Sequence, residues 1–278
     1  MAFTRKNLPK GEPIALIAGR GDYPILCAKN IVASGYDIVV VAVDDDVDIG
    51  WLNGFPAQNV TKVSVGQMSK LLKALERFGV KFAIMAGQVK PKKLFRGMLP
   101  DLKVLRMLMT LKEHNAESIF GAIAEEIVNI GVELLDARSF MEEYLATKGP
   151  MTPRKLEINE KNLQLGINTA REIARLNIGQ SVIVHRGTIV AVEDFAGTDD
   201  LINRTGKFNL KDTIFVKTAK YQQDFRFDVP IFGMQTLKNL HNAKVKYAAL
   251  EAQNVIILDK NNVLKCATKS GIDIIGFE

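Results

Sequence analysis

The chain has 278 residues, 47% hydrophobic and 24% charged, with a formal net charge of +6. That is enough for two ordinary domains with globular composition, and no apolar run reaches the roughly 20 residues of a membrane span. The first ten residues are polar and basic, without the apolar core of a secretory signal, so a cytoplasmic location is expected.

The positive charge fits an anionic ligand, an anionic membrane surface or nucleic acid, but no nucleic-acid motif accompanies it. Cys27 and Cys266 stand far apart, and His114, His185 and His241 are scattered. That pattern argues against a disulfide, a redox pair or a zinc site.

Residues 13–18 form a short apolar run of strand length, followed by Gly19-Arg20-Gly21-Asp22-Tyr23-Pro24 and a helical pattern carrying Ile25, Leu26, Ile31 and Val32. Residues 37–43 read as a buried strand, so the opening is β-loop-α-β, the start of a parallel sheet. The first loop has the Gly-x-Gly that brings backbone amides near a phosphate at a helix N-terminus. It lacks the third glycine of a dinucleotide fingerprint, because Pro24 and Ile25 stand there, and this argues against an NAD(P)-dependent oxidoreductase. A plain tight turn and a phosphate-bearing ligand both fit the loop.

The alternation continues with strands at 60–65 and 81–86 around a helix at 68–78. The second of these strands also ends in a glycine loop, Gly87-Gln88-Val89. Ligands of open α/β sheets bind off the carboxyl ends of strands, so the two loops together favour a binding site. In residues 90–111, Lys90, Lys92, Lys93, Arg96, Lys103 and Arg106 interleave with Leu94, Phe95, Met98 and Leu99. Such a stretch suits a membrane surface or an acyl chain, or else a solvated face over a core. A helix at 116–129 and a strand at 132–135 follow.

Residues 144–153 (YLATKGPMTP) mark a break. The expected fold is two α/β domains joined by a linker, with a Rossmann-like nucleotide-binding domain over 1–136 and a smaller mixed α/β catalytic domain over 137–278. The second half shows a helix at 160–176, strands at 181–185 and 188–192 around a turn at Arg186-Gly187, and a helix at 201–204 that Thr198 or Asp199 could cap. A strand at 213–216 delivers a charge-dense stretch, 217–236, in which Pro230 bars a central strand. Strands at 255–258 and 272–275 flank a helix at 260–269.

Ordered motifs along the chain carry a resemblance. They are Leu16-Ile17-Ala18-Gly19 with Gly21 and Pro24; Ala86-Gly87 with Val89; Ala174-Arg175-Leu176 with Ile178-Gly179-Gln180; Ala191-Val192-Glu193; Gly197-Thr198-Asp199; and Gln223-Asp224 with Arg226, Asp228, Pro230, Gly233 and Thr236. Over residues 13–277 the chain resembles the UDP-2,3-diacylglucosamine pyrophosphatases of the LpxI type, enzymes of lipid A biosynthesis.

The resemblance implies two α/β domains that bind the nucleotide sugar lipid between them, and a divalent metal, usually Mg2+. It also implies attack of water on the α-phosphorus, releasing UMP and 2,3-diacylglucosamine 1-phosphate (lipid X). On this reading Asp228 and Asp199 are the catalytic and metal-binding carboxylates, their division of labour open, with Asp224 a third catalytic candidate. Lys217, Lys220 and Arg226 are phosphate clamps, and Gly19, Gly21, Gly87, Val89, Thr198, Gln223 and Thr236 complete the substrate site.

The chain departs from similar proteins at Arg20, where glycine is common, at Ala196, where glutamate is common, and at Tyr221, where proline is usual. Arg20 bears on how the nucleotide is held, Ala196 leaves one carboxylate fewer in its loop, and the departures together bear on fine substrate choice more than on the reaction. The expected partners are UDP-2,3-diacylglucosamine, peripheral contact with the inner membrane, no nucleic acid, and a second copy in a homodimer. The rival reading is a non-catalytic nucleotide- or lipid-binding protein.

Overall fold

In the computed structural model, residues 8–43, 47–89, 100–153 and 158–278 are described below. The chain divides into two units, one of residues Met1–Met141 with Asp224–Asp228, the other of Glu142–Gln223 with Val229–Glu278.

The first unit begins with β1 (Ile14–Ala18), whose five residues are all buried. It continues through α1 (Asp22–Ala33), β2 (Ile38–Val43), the single turn α2 (Ile49–Leu52), β3 (Val60–Val63), α3 (Met68–Phe78), β4 (Phe82–Ala86), α4 (Leu102–Thr110), α5 (Ala116–Asn129) and β5 (Glu133–Leu134). The strands pair in the order β3-β2-β1-β4-β5, all parallel. Continuous apolar strands such as IALIA and IVVVAV belong to a sheet covered on both faces.

The two faces follow the period of two along each strand. Ala15, Ile17, Val39 and Val41 share a core with Leu71, Leu72 and Leu75 of α3 and with Ile119 and Ile127 of α5. Helix α1 lies against β1, β2 and β4 with Tyr23, Cys27, Ala28 and Ile31 buried. Each fully buried leucine or isoleucine in this core contributes about 1.5–3 kcal/mol. Gly79, in the left-handed region at φ 62°, ends α3.

The second unit holds β6 (Gly149–Pro150), α6 (Glu160–Arg175), β7 (Ser181–His185), β8 (Thr188–Val192), α7 (Thr198–Gly206), β9 (Ile214–Lys217), β10 (Ile231–Phe232), α8 (Met234–Asn242), β11 (Tyr247–Glu251), β12 (Ile256–Ile257), α9 (Lys260–Ser270) and β13 (Asp273–Phe277). Its main sheet runs β6-β13-β11-β9-β7-β8, with β9, β11 and β13 parallel and β6 and β7 antiparallel to their neighbours. Strands β10 and β12 make a separate parallel pair.

Alternation again assigns the faces. Ile214 and Val216 of β9 pack under α6 with Leu163, Ile167 and Ala170, whereas Phe215 packs among Leu201, Leu237, Leu240 and Val263 of α7, α8 and α9. Because β7 runs against β9, Ser181 lies opposite Lys217, and the start of one strand meets the end of the other.

The expected Rossmann-like parallel sheet and mixed α/β second domain are both present, and the sheet of the second is itself mixed. Four elements of the second unit, the two-residue strands β6 and β10, helix α8 and the central strand β11, were not expected from the sequence. The YAALE segment of β11 has only one aromatic and no β-branched residue. Its strand conformation comes from its position between β9 and β13.

Candidate active site

In the first unit the topology itself picks out a place. Strand order reverses at β1, which pairs β2 on one side and β4 on the other, and the loops after β1 and β4 carry the two glycine motifs. The loops are tied to each other. Arg20 N–H donates to the Gln88 carbonyl and Gln88 N–H to the Arg20 carbonyl, both at 3.0 Å, and the Arg20 guanidinium donates to Gln88 Oε1 at 3.0 Å.

This close approach explains Gly19 and Gly87. A Cβ on Gly19 would sit 2.6 Å from the Gln88 carbonyl oxygen, and one on Gly87 2.9 Å from that of Arg20. Gly87 also has φ 96°, in the left-handed region. Gly21 leads into α1, whose N-terminus has no side-chain cap and so leaves amide donors at the switch point. Val89 packs against the core of this unit.

The stretch 217–236 is split. Residues Asp224–Asp228 belong to the first unit, and the rest stays with the second. The excursion is fastened at several points. Ala137 N–H donates to the Phe225 carbonyl at 2.7 Å, and Phe227 stacks on Phe120 of α5 with ring centroids 6.1 Å apart. The Arg138 guanidinium lies 3.4 Å from the centre of the Phe225 ring.

Arg226 pairs with Asp224 at 2.7 Å and with Glu125 at 3.1 Å. Both oxygens of Asp224 accept from the guanidinium, and one also accepts from Arg226 N–H. Burial pushes the Asp224 carboxyl up, but the hydrogen bonds from Arg226 prevail and hold it below the usual carboxylate range. Asp228 closes the turn, its N–H donating to the Asp224 carbonyl at 3.0 Å, and it is half-buried.

In the second unit, polar side chains collect at the ends of β8 and β9. Lys217 is only 3% exposed. Its Nζ donates to Thr198 Oγ1 at 3.1 Å and lies 3.5 Å from Ser181 Oγ, and it makes no ion pair with a carboxylate among the described residues. Thr198 Oγ1 in turn donates to Glu193 Oε1 at 2.9 Å.

Neither Thr198 nor Asp199 caps α7, contrary to expectation. Gly197 is the N-cap, at φ 88°, and no side chain caps the amides. Thr198 is drawn to Glu193 instead, and exposed Asp199 accepts from Asn239 of α8 at 2.8 Å. Helix α8, whose first turn carries Thr236, likewise has no side-chain cap.

Beyond β9 the loop is held by Glu251 at the end of β11, which accepts from the Thr218 hydroxyl at 2.8 Å and from Ala219 N–H at 2.7 Å. Gln223 Oε1 accepts from Lys220 N–H at 2.9 Å, which closes the turn.

The expected site residues therefore fall into two sets. Gly19, Gly21, Gly87, Val89, Asp224, Arg226 and Asp228 are in the first unit, and Thr198, Asp199, Lys217, Lys220, Gln223 and Thr236 are in the second.

Family models match the chain along nearly its whole length, the LpxI N-terminal domain over residues 13–144 and the LpxI C-terminal domain over residues 147–275. The chain belongs to the LpxI family. It is 27% identical over 281 residues to UDP-2,3-diacylglucosamine pyrophosphatase LpxI of Caulobacter vibrioides, covering 95% of this chain and 97% of that relative.

In this LpxI-family chain, the fit of a divalent ion depends on the donors present. Among the described residues no group of three or more His, Cys, Asp or Glu side chains gathers. Asp199 and Asp228 are oxygen donors outside the deep core, the chemistry of a hard ion held by one or two carboxylates, substrate phosphates and water. Each by itself is a carboxylate of the type Mg2+ takes, and one oxygen of Asp199 already accepts from Asn239.

Ser181, Asn239 and Glu251 join these polar groups without any motif that points to them, and in the sequence Glu193 stands out only as the end of Ala191-Val192-Glu193. The signal for Glu193 and Glu251 is a carboxylate at the end of a strand facing a helix N-terminus or a loop. For Glu251 that signal depends on recognising β11 first.

Proposed function

We propose that this chain hydrolyses the pyrophosphate bond of UDP-2,3-diacylglucosamine, the substrate named for its Caulobacter relative, giving UMP and lipid X in lipid A biosynthesis. The observation that carries the reading is Lys217, a buried ammonium that makes no ion pair with a carboxylate among the described residues, beside the uncapped N-terminus of α7. A buried cation calls for an anion, and free helix amides favour the same charge, so a phosphate group suits the place.

In the first unit, the loops at Gly19–Gly21 and Gly87–Val89 are assigned to the uridine nucleotide, through the amides they expose at the sheet's switch point. In the second, Lys217, Thr198 and the α7 and α8 amides are assigned to the diphosphate, with Lys220, Gln223 and Thr236 supporting them. Asp228 in the first unit and Asp199 in the second are each candidates to hold Mg2+ or to orient the attacking water at the α-phosphorus. A bound Mg2+ would neutralise phosphate charge as the transition state forms. Asp224 and Arg226 are so fully engaged with each other that their main part is to hold the segment bearing Asp228.

The exposed face of α4 supports contact with lipid. Leu102 (72% exposed), Leu105 (42%) and Met109 (86%) share it with Arg106, while Val104 and Met107 face the core. The preceding residues 90–99, which carry much of the expected basic-apolar pattern, lie outside the described ones.

Incubation with UDP-2,3-diacylglucosamine and Mg2+ is expected to yield UMP and lipid X, and EDTA to stop it. In oxygen-18 water the label should appear on UMP. No turnover with any of several divalent metals would overturn the reading, and label on lipid X would move the attack to the other phosphorus.

A further inference from the structure

The side chain that the proposed chemistry leaves unexplained is Glu193. It follows β8 directly, is only 8% exposed, and is pinned by its backbone. Its N–H donates to the Ser181 carbonyl at 2.8 Å, and Gly179 packs so tightly on its carbonyl that a Cβ there would collide. One carboxylate oxygen, Oε1, accepts the Thr198 hydroxyl, while the other, Oε2, is buried without a hydrogen-bond partner among the described residues. A buried carboxylate satisfied on one side only is a liability for folding. Its reason is therefore to be sought in the site.

We infer that Glu193 is a positioning residue: by holding the Thr198 hydroxyl hydrogen, it presents Lys217 to the anionic group bound at the α7 N-terminus. A threonine hydroxyl has a single hydrogen. Committed to Glu193 at 2.9 Å, that hydrogen leaves only lone pairs facing Lys217, which donates to them at 3.1 Å. The second acceptor, Ser181, is at 3.5 Å, the long limit of a hydrogen bond.

Lys217 thus has one well-made internal bond and an N–H left for a ligand. Without Glu193 the Thr198 hydroxyl can turn its hydrogen elsewhere, and both the hydroxyl and the ammonium lose their orientation. The unpartnered Oε2, beside the first residue of α7, is an acceptor for a donor on the same ligand. The inference rests on the functional reading for its anion, but not for its geometry.

The test compares Glu193→Ala, Glu193→Gln, Thr198→Val, Thr198→Ser and the double variant Glu193→Ala/Thr198→Val. kcat and KM on UDP-2,3-diacylglucosamine, affinity for inorganic pyrophosphate by calorimetry, and thermal unfolding are measured for each. Glu193→Ala and Thr198→Val are each expected to lower kcat/KM about 10–100-fold, the range for residues that orient a ligand-binding group. The double variant should be no worse than the poorer single one, because both break the same chain.

Thr198→Ser, which keeps the hydroxyl, should recover most of the Thr198→Val loss, and Glu193→Gln, which keeps one acceptor, should fall between wild type and Glu193→Ala. Affinity for pyrophosphate should follow the same order. Additive losses in the double variant, or a folded Glu193→Ala with wild-type rates and affinity, would overturn the inference. If Glu193→Ala fails to fold, the Glu193→Gln and Thr198 variants carry the same comparison. Wild-type protein that binds pyrophosphate through this chain but does not turn over the nucleotide lipid would overturn the functional reading and leave Glu193 in its place.

Discussion

Lys217 concentrates the physics at the residue scale. A lysine this buried, with no carboxylate in ion-pair range among the described residues, weakens the apo fold, and the same setting suits it to an anionic ligand. Lys217→Met should therefore separate stability from function. kcat/KM is expected to fall about 10²–10³-fold, as on loss of one preorganised donor, while the thermal midpoint holds or rises. Unchanged turnover would remove Lys217 from the site. Asp228→Ala tests the carboxylate. Substrate affinity should be retained while kcat drops about 10²–10⁴-fold, and retained activity would refute its role.

At the scale of elements, the five residues Asp224–Asp228 act as a clip held by one aromatic stack, one backbone hydrogen bond and the guanidinium groups of Arg138 and Arg226. The Asp224 carboxyl sits below the usual range, so its contribution to stability is fully present above the unfolded value of about 3.9 and is lost as pH falls through the lowered folded value. Acid unfolding of wild type and Asp224→Asn should show a stability gap that is constant near neutrality and closes only at strongly acid pH. A gap that closes between pH 6 and 7 would mean another group controls the clip.

Helix α4 makes a separate element-scale prediction. Its outward Leu102, Leu105 and Met109 should bind vesicles containing anionic lipid, and Leu102→Ser/Met109→Ser should release the protein into the supernatant on sedimentation. Equal pelleting of wild type and variant would exclude α4 as the contact.

On the scale of the whole molecule, the two units are not two consecutive stretches of chain. The first takes Asp224–Asp228 from the second half, so a fragment ending at Met141 lacks a piece of its own structure. That fragment, with Phe120 deprived of Phe227 and Glu125 of Arg226, should unfold at a lower temperature than the first unit does in the full chain. Equal midpoints would show that the excursion contributes nothing to stability.

Much of the architecture was legible beforehand because it is written in short-range periodicity. The apolar runs of β1 and β2 mark doubly covered strands, the Leu71, Leu72 and Leu75 spacing marks α3, and Arg186-Gly187 marks the β7–β8 hairpin. The site was legible only as a set of residue types in order, including the glycine loops, Gly197-Thr198-Asp199 and the charged run from Lys217. Its partnerships were not, since which acceptor takes the Thr198 hydroxyl, or which core receives Phe227, depends on atoms far away in the chain.

The charged stretch 217–236 marks that boundary. By itself the sequence determined that it is a polar, proline-interrupted segment following a strand and rich in the groups that phosphate chemistry uses. Only the tertiary structure decided that its middle five residues leave one unit for the other, that Asp224 is engaged by Arg226, and that Lys217 stays buried beside Thr198 and Glu193. Local propensity acts over a few neighbouring residues. Burial, ion pairing and hydrogen-bond satisfaction are settled among groups that meet only when the sheets assemble.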